Sequence, residues 1–197
     1  IENVQRVRIF DYTTAVNYPK GTISGFEFEI RQNLGRLWDP LEGMSFGANA
    51  TFIDSEVTLP DDEIAAFNLP NILEPMTTRD ATNAPEHLFN FFLTYDIEAT
   101  KTQLALFYTI QGETLVAGAG ESTGNFVPSL YSREYDTLNF NLTQKLGENF
   151  RLQFQAKNIT NPDVGLFYRS RSRPDQPRTS VRAGIDYSLS ISADFKF

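Results

Sequence analysis

Residues 184–197, GIDYSLSISADFKF, alternate without a break to the end of the chain. Ile185, Tyr187, Leu189, Ile191, Ala193, Phe195 and Phe197 take the odd positions, and Asp186, Ser188, Ser190, Ser192, Asp194 and Lys196 the even ones. Side chains of a strand point alternately to its two faces, so this pattern predicts one strand with an apolar face and a polar face. Strands of soluble domains usually run to about five or six residues. A tilted strand crossing a bilayer needs about 9–11. The length of this one predicts a membrane-spanning strand that closes a barrel.

The rest of the chain repeats the pattern. Phe26, Phe28, Ile30 and Leu34 oppose Glu27, Glu29, Arg31 and Asn33. Across 43–56, Met44, Phe46, Ala48, Ala50 and Phe52 oppose Ser45, Gly47, Asn49 and Thr51. Residues 86–97 align Phe89, Phe91, Leu93 and Tyr95 against Asn90, Thr94 and Asp96, with Phe92 breaking the polar side. Strands follow at 102–112, 134–146 and 150–157, and residues 1–12 form an irregular eighth candidate. The stretches between are aperiodic: 57–85 is rich in proline with an acidic patch at Asp61, Asp62 and Glu63, and 113–133 is rich in Gly and Ser.

The connections run short and long in turn, about 8, 29, 4, 21, 3 and 20 residues, as expected of a barrel with short periplasmic turns and long outer loops. A Greek-key sandwich has no reason to sort its connections this way. The apolar faces carry no Asp, Glu, Lys or Arg, as lipid exposure requires, although a soluble core would exclude them too. No apolar run approaches the ~18 residues of a transmembrane helix. The net charge of −8 argues against nucleic acid as a partner, and the absence of Cys excludes a disulfide framework or a thiolate metal site. Ile1 is not an initiator Met, and IENVQRVRIF lacks the apolar segment of a signal peptide. The chain is therefore expected to be the C-terminal portion of a longer exported polypeptide.

Several local signatures resemble the C-terminal barrel of the TonB-dependent outer-membrane transporters. These are Gly25 and Glu27 in ISGFEFE, Ala84-Pro85 before the 86–97 strand, Tyr108 and Gly112 in FYTIQG, and the hairpin of residues 138–161 ending in Asn158-Ile159-Thr160-Asn161. The terminal Phe197 completes the set, although Ser192 stands where the family's sorting pattern has Gly. The resemblance, over about 18–197, implies an all-β antiparallel transmembrane barrel of 22 strands, of which this chain holds about the last eight. The whole of 1–197 would be wall and outer loops, with the N-terminal plug and the earlier strands outside it. It further implies active import of a scarce ligand (siderophore, vitamin or glycan class) across the outer membrane of a Gram-negative bacterium. The expected partners are the remaining barrel and plug, TonB through the plug segment, membrane lipid and lipopolysaccharide, and the barrel-assembly machinery. The alternative is a passive porin or an adhesin-like barrel.

The candidate ligand contacts are Arg169, Arg171 and Arg173, at period two in FYRSRSRP, with Arg178 beyond. Guanidiniums on one strand face could hold an anionic ligand; the plainer expectation is pairing with lipopolysaccharide phosphates or with Asp61–Glu63. Phe195 and Phe197 are the candidate assembly signal. His87, the one histidine, reads as a rim residue, far short of a metal set. Tyr18, Tyr95, Tyr131, Tyr135 and Tyr187 are expected in interfacial girdles. There is no G-x-S-x-G, P-loop or G-x-G-x-x-G, and neither an enzymatic activity nor a cofactor is expected.

Overall fold

The computed structural model describes residues 17–69, 72, 74–122 and 125–195. The candidate strand at 1–12 and Phe197 lie outside the described residues. Seven long strands form one antiparallel path: β1 (Lys20–Asn33), β2 (Met44–Thr58), β4 (His87–Ile97), β5 (Thr102–Gln111), β10 (Tyr135–Leu146), β11 (Phe150–Lys157) and β14 (Asp186–Ala193). The two-residue β3 (Thr78–Arg79) adds to the far end of β2. The bounds match the sequence pattern to within one or two residues, except that β14 is shorter than its alternating run.

Because neighbours in the sheet are consecutive and antiparallel, all short connections fall at one end and all long ones at the other. The short ones are 34–43, 98–101 and 147–149; the long ones are loop 1 (59–86), loop 2 (112–134) and loop 3 (158–185). The register keeps the middle of one face apolar, with polar side chains such as Gln32, Asp54, Asp136 and Gln144 on that face only toward the strand ends. Phe46, Leu93, Leu106, Phe140, Ala156 and Tyr187 form one rung across six strands, and Met44, Tyr95, Leu104, Leu142, Phe154 and Leu189 the next. On the opposite face, the Asn90 side chain donates to Asn49 Oδ1 at 2.9 Å and accepts from Thr109 Oγ1 at 2.8 Å. Phe92 lies on this polar face, its ring over Gly47, where a Cβ would collide with it. The Arg31 guanidinium stands 5.9 Å from the same ring.

The apolar face is not a core. Phe26 is 73% exposed and Leu189 67%, whereas the buried hydrophobics Leu59, Phe67, Ile72, Leu115, Ala119, Leu130 and Phe167 all belong to the long loops. Of the described wall residues, only Ala156 joins them. A soluble sandwich covers the apolar face of each sheet with the other, and here that face is open. An apolar surface of this extent marks contact with lipid or another apolar partner. The path also stays open: β1 and β14 are its two edges and do not pair with each other. No described helix is long and apolar enough to cross a membrane.

Candidate functional site

The long loops carry structure of their own that the sequence pattern did not show. Loop 1 contains the helix α1 (Asp61–Phe67), following Pro60 and with Asp61, Asp62 and Glu63 in its first turn. Carboxylates there complement the free N–H groups of the helix start. Phe67, at its far end, enters a core with Leu59, Ile72 and Ala119. Loop 2 holds β6 (Thr114–Ala117), β7 (Gly120–Ser122), β8 (Asn125–Val127) and β9 (Ser129–Ser132), and loop 3 holds β12 (Val164–Arg169) and β13 (Gln176–Val181). A second sheet, in the order β13-β12-β9-β6, therefore joins loops 2 and 3. The two longest, VGLFYR and QPRTSV, show no alternation of apolar and polar residues, so the pattern does not reveal them.

Arg169, at the end of β12, is the hub of this cap. Its guanidinium donates to Glu113 Oε2 of loop 2 at 2.9 Å and to Asp175 Oδ2 of loop 3 at 3.1 Å. It also stands 4.8 Å from the ring centres of both Tyr131 and Phe167. The Tyr131 hydroxyl donates in turn to Asp80 of loop 1 at 2.9 Å. Burial alone would lower the pKa of Arg169, but its bonds to Asp175 and Glu113 outweigh that and raise the pKa. Burial and the bond to Asp80 likewise push up the Tyr131 hydroxyl.

A second tie joins loop 1 directly to loop 3. Glu74 is 2% exposed, and four donors from three consecutive residues meet its carboxylate. The Arg171 amide reaches Oε2 and the Ser172 amide Oε1, both at 3.0 Å, and the hydroxyls of Ser170 and Ser172 also donate to Oε1. Burial would raise this pKa, but the four bonds reverse the effect and hold it below the usual carboxylate range. Among the described residues, no cation stands within ion-pair distance of Glu74; the Arg171 side chain donates instead to the Pro75 carbonyl at 3.1 Å. Beside this tie lies a cavity of about 420 Å³, lined by residues that include Glu56, Arg79, Asp80, Tyr131, Arg169 and Arg171. Burial lowers the pKa of Arg79, which lies across Gly118 and stands 4.9 Å from the Tyr18 ring centre.

The expected row of arginines on one strand face does not form, because β12 ends at Arg169 and residues 171–173 bend away. Arg169 is held by Glu113 and Asp175, and none of the arginines pairs with Asp61, Asp62 or Glu63. Arg171, Arg173 and Arg178 are exposed, and among the described residues no carboxylate lies within ion-pair distance of them. Arg178 stands 5.7 Å from the Tyr168 ring centre. The residues that make the tie are instead Ser170 and Ser172, whose Ser-x-Ser spacing between the arginines is the one sequence signal of it.

His87 begins β4 and bonds Glu134 across 2.9 Å at the loop end, a rim position. Tyr95 and Tyr187 lie on the apolar face, as girdle residues should. Three tyrosines do not fit a girdle: Tyr18 and Tyr131 pack within the cap, and Tyr135 shares the polar-face register and donates to Gln111. Phe195 is exposed and meets Phe150 edge-on at 6.0 Å. Among the described residues, no group of three or more His, Cys, Asp or Glu side chains is placed to hold a metal ion.

The Asn-Ile-Thr-Asn segment fixes the base of loop 3. Asn158 and Asn161 both adopt positive φ, +58° and +45°, a region that asparagine enters more readily than most residues. The Asn158 side chain donates to the Gly184 carbonyl at 2.8 Å, and Asn161 Oδ1 accepts from the Gly184 amide at 3.0 Å. The Asn158 amide donates to Asn139 Oδ1 at 3.0 Å. These bonds tie the end of β11 and the start of β14 to β10.

Residues 1–159 match the family model described as TonB dependent receptor-like, beta-barrel. Among solved structures, the chain is similar to the ferric citrate transporter FecA in its unliganded form, with a TM-score of 0.58 at 14% identity. That likeness covers 88% of this chain but 24% of the transporter, so the chain spans about a quarter of its length. No curated protein sequence matches the chain significantly.

Proposed function

Because the chain belongs to the TonB dependent receptor-like β-barrel family, we propose that it forms wall and outer loops of a transporter that imports a scarce ligand across the outer membrane. The observation that carries this is the polarity of the sheet: an exposed apolar face, an opposite face of amides and hydroxyls, and every long connection gathered at one end into a tied cap. The apolar face suits lipid, the polar face suits a filled or hydrated lumen, and the cap suits capture of a ligand from outside. Strands outside the described residues would pair with the edges of β1 and β14, since unsatisfied N–H and C=O groups in hydrocarbon cost several kcal/mol each. An N-terminal plug would fill the lumen and carry the segment that draws energy from TonB.

Of the four candidate arginines, Arg171, Arg173 and Arg178 have no carboxylate within ion-pair distance among the described residues and could meet an anionic ligand, whereas Arg169 serves the cap. The test uses cells that make the whole encoded protein, with or without the energy-coupling protein, offered a panel of ferric chelates, cobalamin and oligosaccharides. Saturable uptake of one class, lost when the coupling protein is removed, supports the reading. Unsaturable uptake that depends on solute size and persists without coupling would establish a passive pore.

A further inference from the structure

The bend after β12 has the form of an anion-binding site. Two consecutive backbone amides, Arg171 and Ser172, and two hydroxyls, Ser170 and Ser172, converge on one carboxylate. Successive N–H groups turned toward one point form a concavity that favours negative charge. What fills it is a side chain of the same molecule, nearly 100 residues away in sequence, and that carboxylate has no cation partner among the described residues. Glu74 is therefore held by dipoles alone, in a seat built by loop 3. The 420 Å³ cavity adjoins that seat, with Glu74, Ser170 and Arg171 all on its wall.

We infer that the Ser170-Arg171-Ser172 turn is a carboxylate-binding site whose resident occupant is Glu74, so that a carboxylate-bearing ligand in the adjoining cavity exchanges with Glu74 and releases loop 1 from loop 3. The four donors are indifferent to which carboxylate they hold. A soluble carboxylate presents the same acceptor geometry, and the four donors are what would hold it. The cavity wall carries Asp54, Glu56 and Asp80 as well as the guanidiniums of Arg79 and Arg171, and Arg169 is already held by Glu113 and Asp175. Once displaced, Glu74 leaves the Arg171 bond to Pro75 as the one hydrogen bond of this turn to loop 1 among the described residues. The site thus doubles as a latch between the two loops. This does not depend on the import reading, because the exchange would occur whether or not the barrel transports anything.

Chemical rescue tests it, with the whole encoded protein in lipid nanodiscs and acetate as the probe. In Glu74→Ala, hydrogen exchange in the peptide spanning Ser170–Ser172 should rise about tenfold or more, because the amides lose their acceptor. Excess sodium acetate should return it toward the wild-type rate, while the same concentration of sodium chloride should not. In wild-type protein the same acetate should instead speed exchange in the loop 1 peptide around Glu74. Glu74→Asp, which keeps the charge but draws it back by one methylene, serves if the alanine variant does not assemble, and should show a smaller rise with the same reversal. Unchanged exchange in the variants overturns the assignment of Glu74 as occupant. Raised exchange that acetate leaves unaltered overturns the turn as a site for free carboxylates.

Discussion

Asn158 donates its side-chain amide to the carbonyl of Gly184 at 2.8 Å, and this bond sets where the last wall strand begins. The pair lies 26 positions apart, with all of β12 and β13 between them, yet the base of loop 3 is closed by this bond. Asn158→Ala removes that bond and leaves an alanine at φ +58°. Because the bond is exposed, its loss alone is expected to cost about 0.5–1.5 kcal/mol. The midpoint of heat-induced unfolding, followed by mobility on cold gels, should fall, and Asn158→Gly should fall less because glycine accepts that φ.

Arg169 is predicted to be structural. Arg169→Ala should loosen the cap and expose loop 3 to limited proteolysis, because Glu113 and Asp175 lose their shared partner. Arg169→Lys should recover little: an ammonium lacks both the planar face that meets Tyr131 and Phe167 and the fork that meets two carboxylates. Full protection in the lysine variant would show that charge alone is enough.

The Glu74 tie should open in acid. Its folded-state pKa is lowered from the ordinary 4.5, so the released form takes up a proton more readily than the bound one. Stability from this group is therefore whole above pH 4.5 and declines as pH falls through the lower folded value. Spin labels at positions 77 and 173, read by pulsed EPR, should give one short distance near neutral pH. A longer population should grow in below pH 4.5, and Glu74→Gln should lack that pH dependence.

Phe92 is expected to need Gly47. Gly47→Ala places a methyl where the ring lies, and overpacking of this kind costs about 1–3 kcal/mol. Adding Phe92→Ala should recover part of that loss, so the double variant should melt above the sum of the single effects.

The wall was legible because its signal is periodic and local. Phe89, Phe91, Leu93 and Tyr95 could be assigned to one face without knowing their neighbours, and the observed register keeps them there. The cap was not, because its ties are long-range and its strands short. Nothing near Arg169 announces Glu113, 56 residues away, and nothing near Glu74 announces Ser170. The RSRSR run drew attention to its charges, while the uncharged serines and amides between them make the tie. Proline in loop 1 masked the seven-residue α1 that follows Pro60. The tyrosines fared unevenly because closeness to a strand end does not say which face a residue takes.

The most direct test of the central claim, that the apolar face of this sheet meets lipid, is a spin-label scan along β4 of the whole encoded protein in outer-membrane lipid. Labels at 89, 91, 93 and 95 should collide freely with dissolved oxygen and little with a water-soluble nickel chelate, and labels at 90, 92 and 94 should lose the oxygen maximum. A strict period of two in oxygen accessibility is the predicted result. Equal accessibility to the nickel chelate on both sets of positions would contradict it.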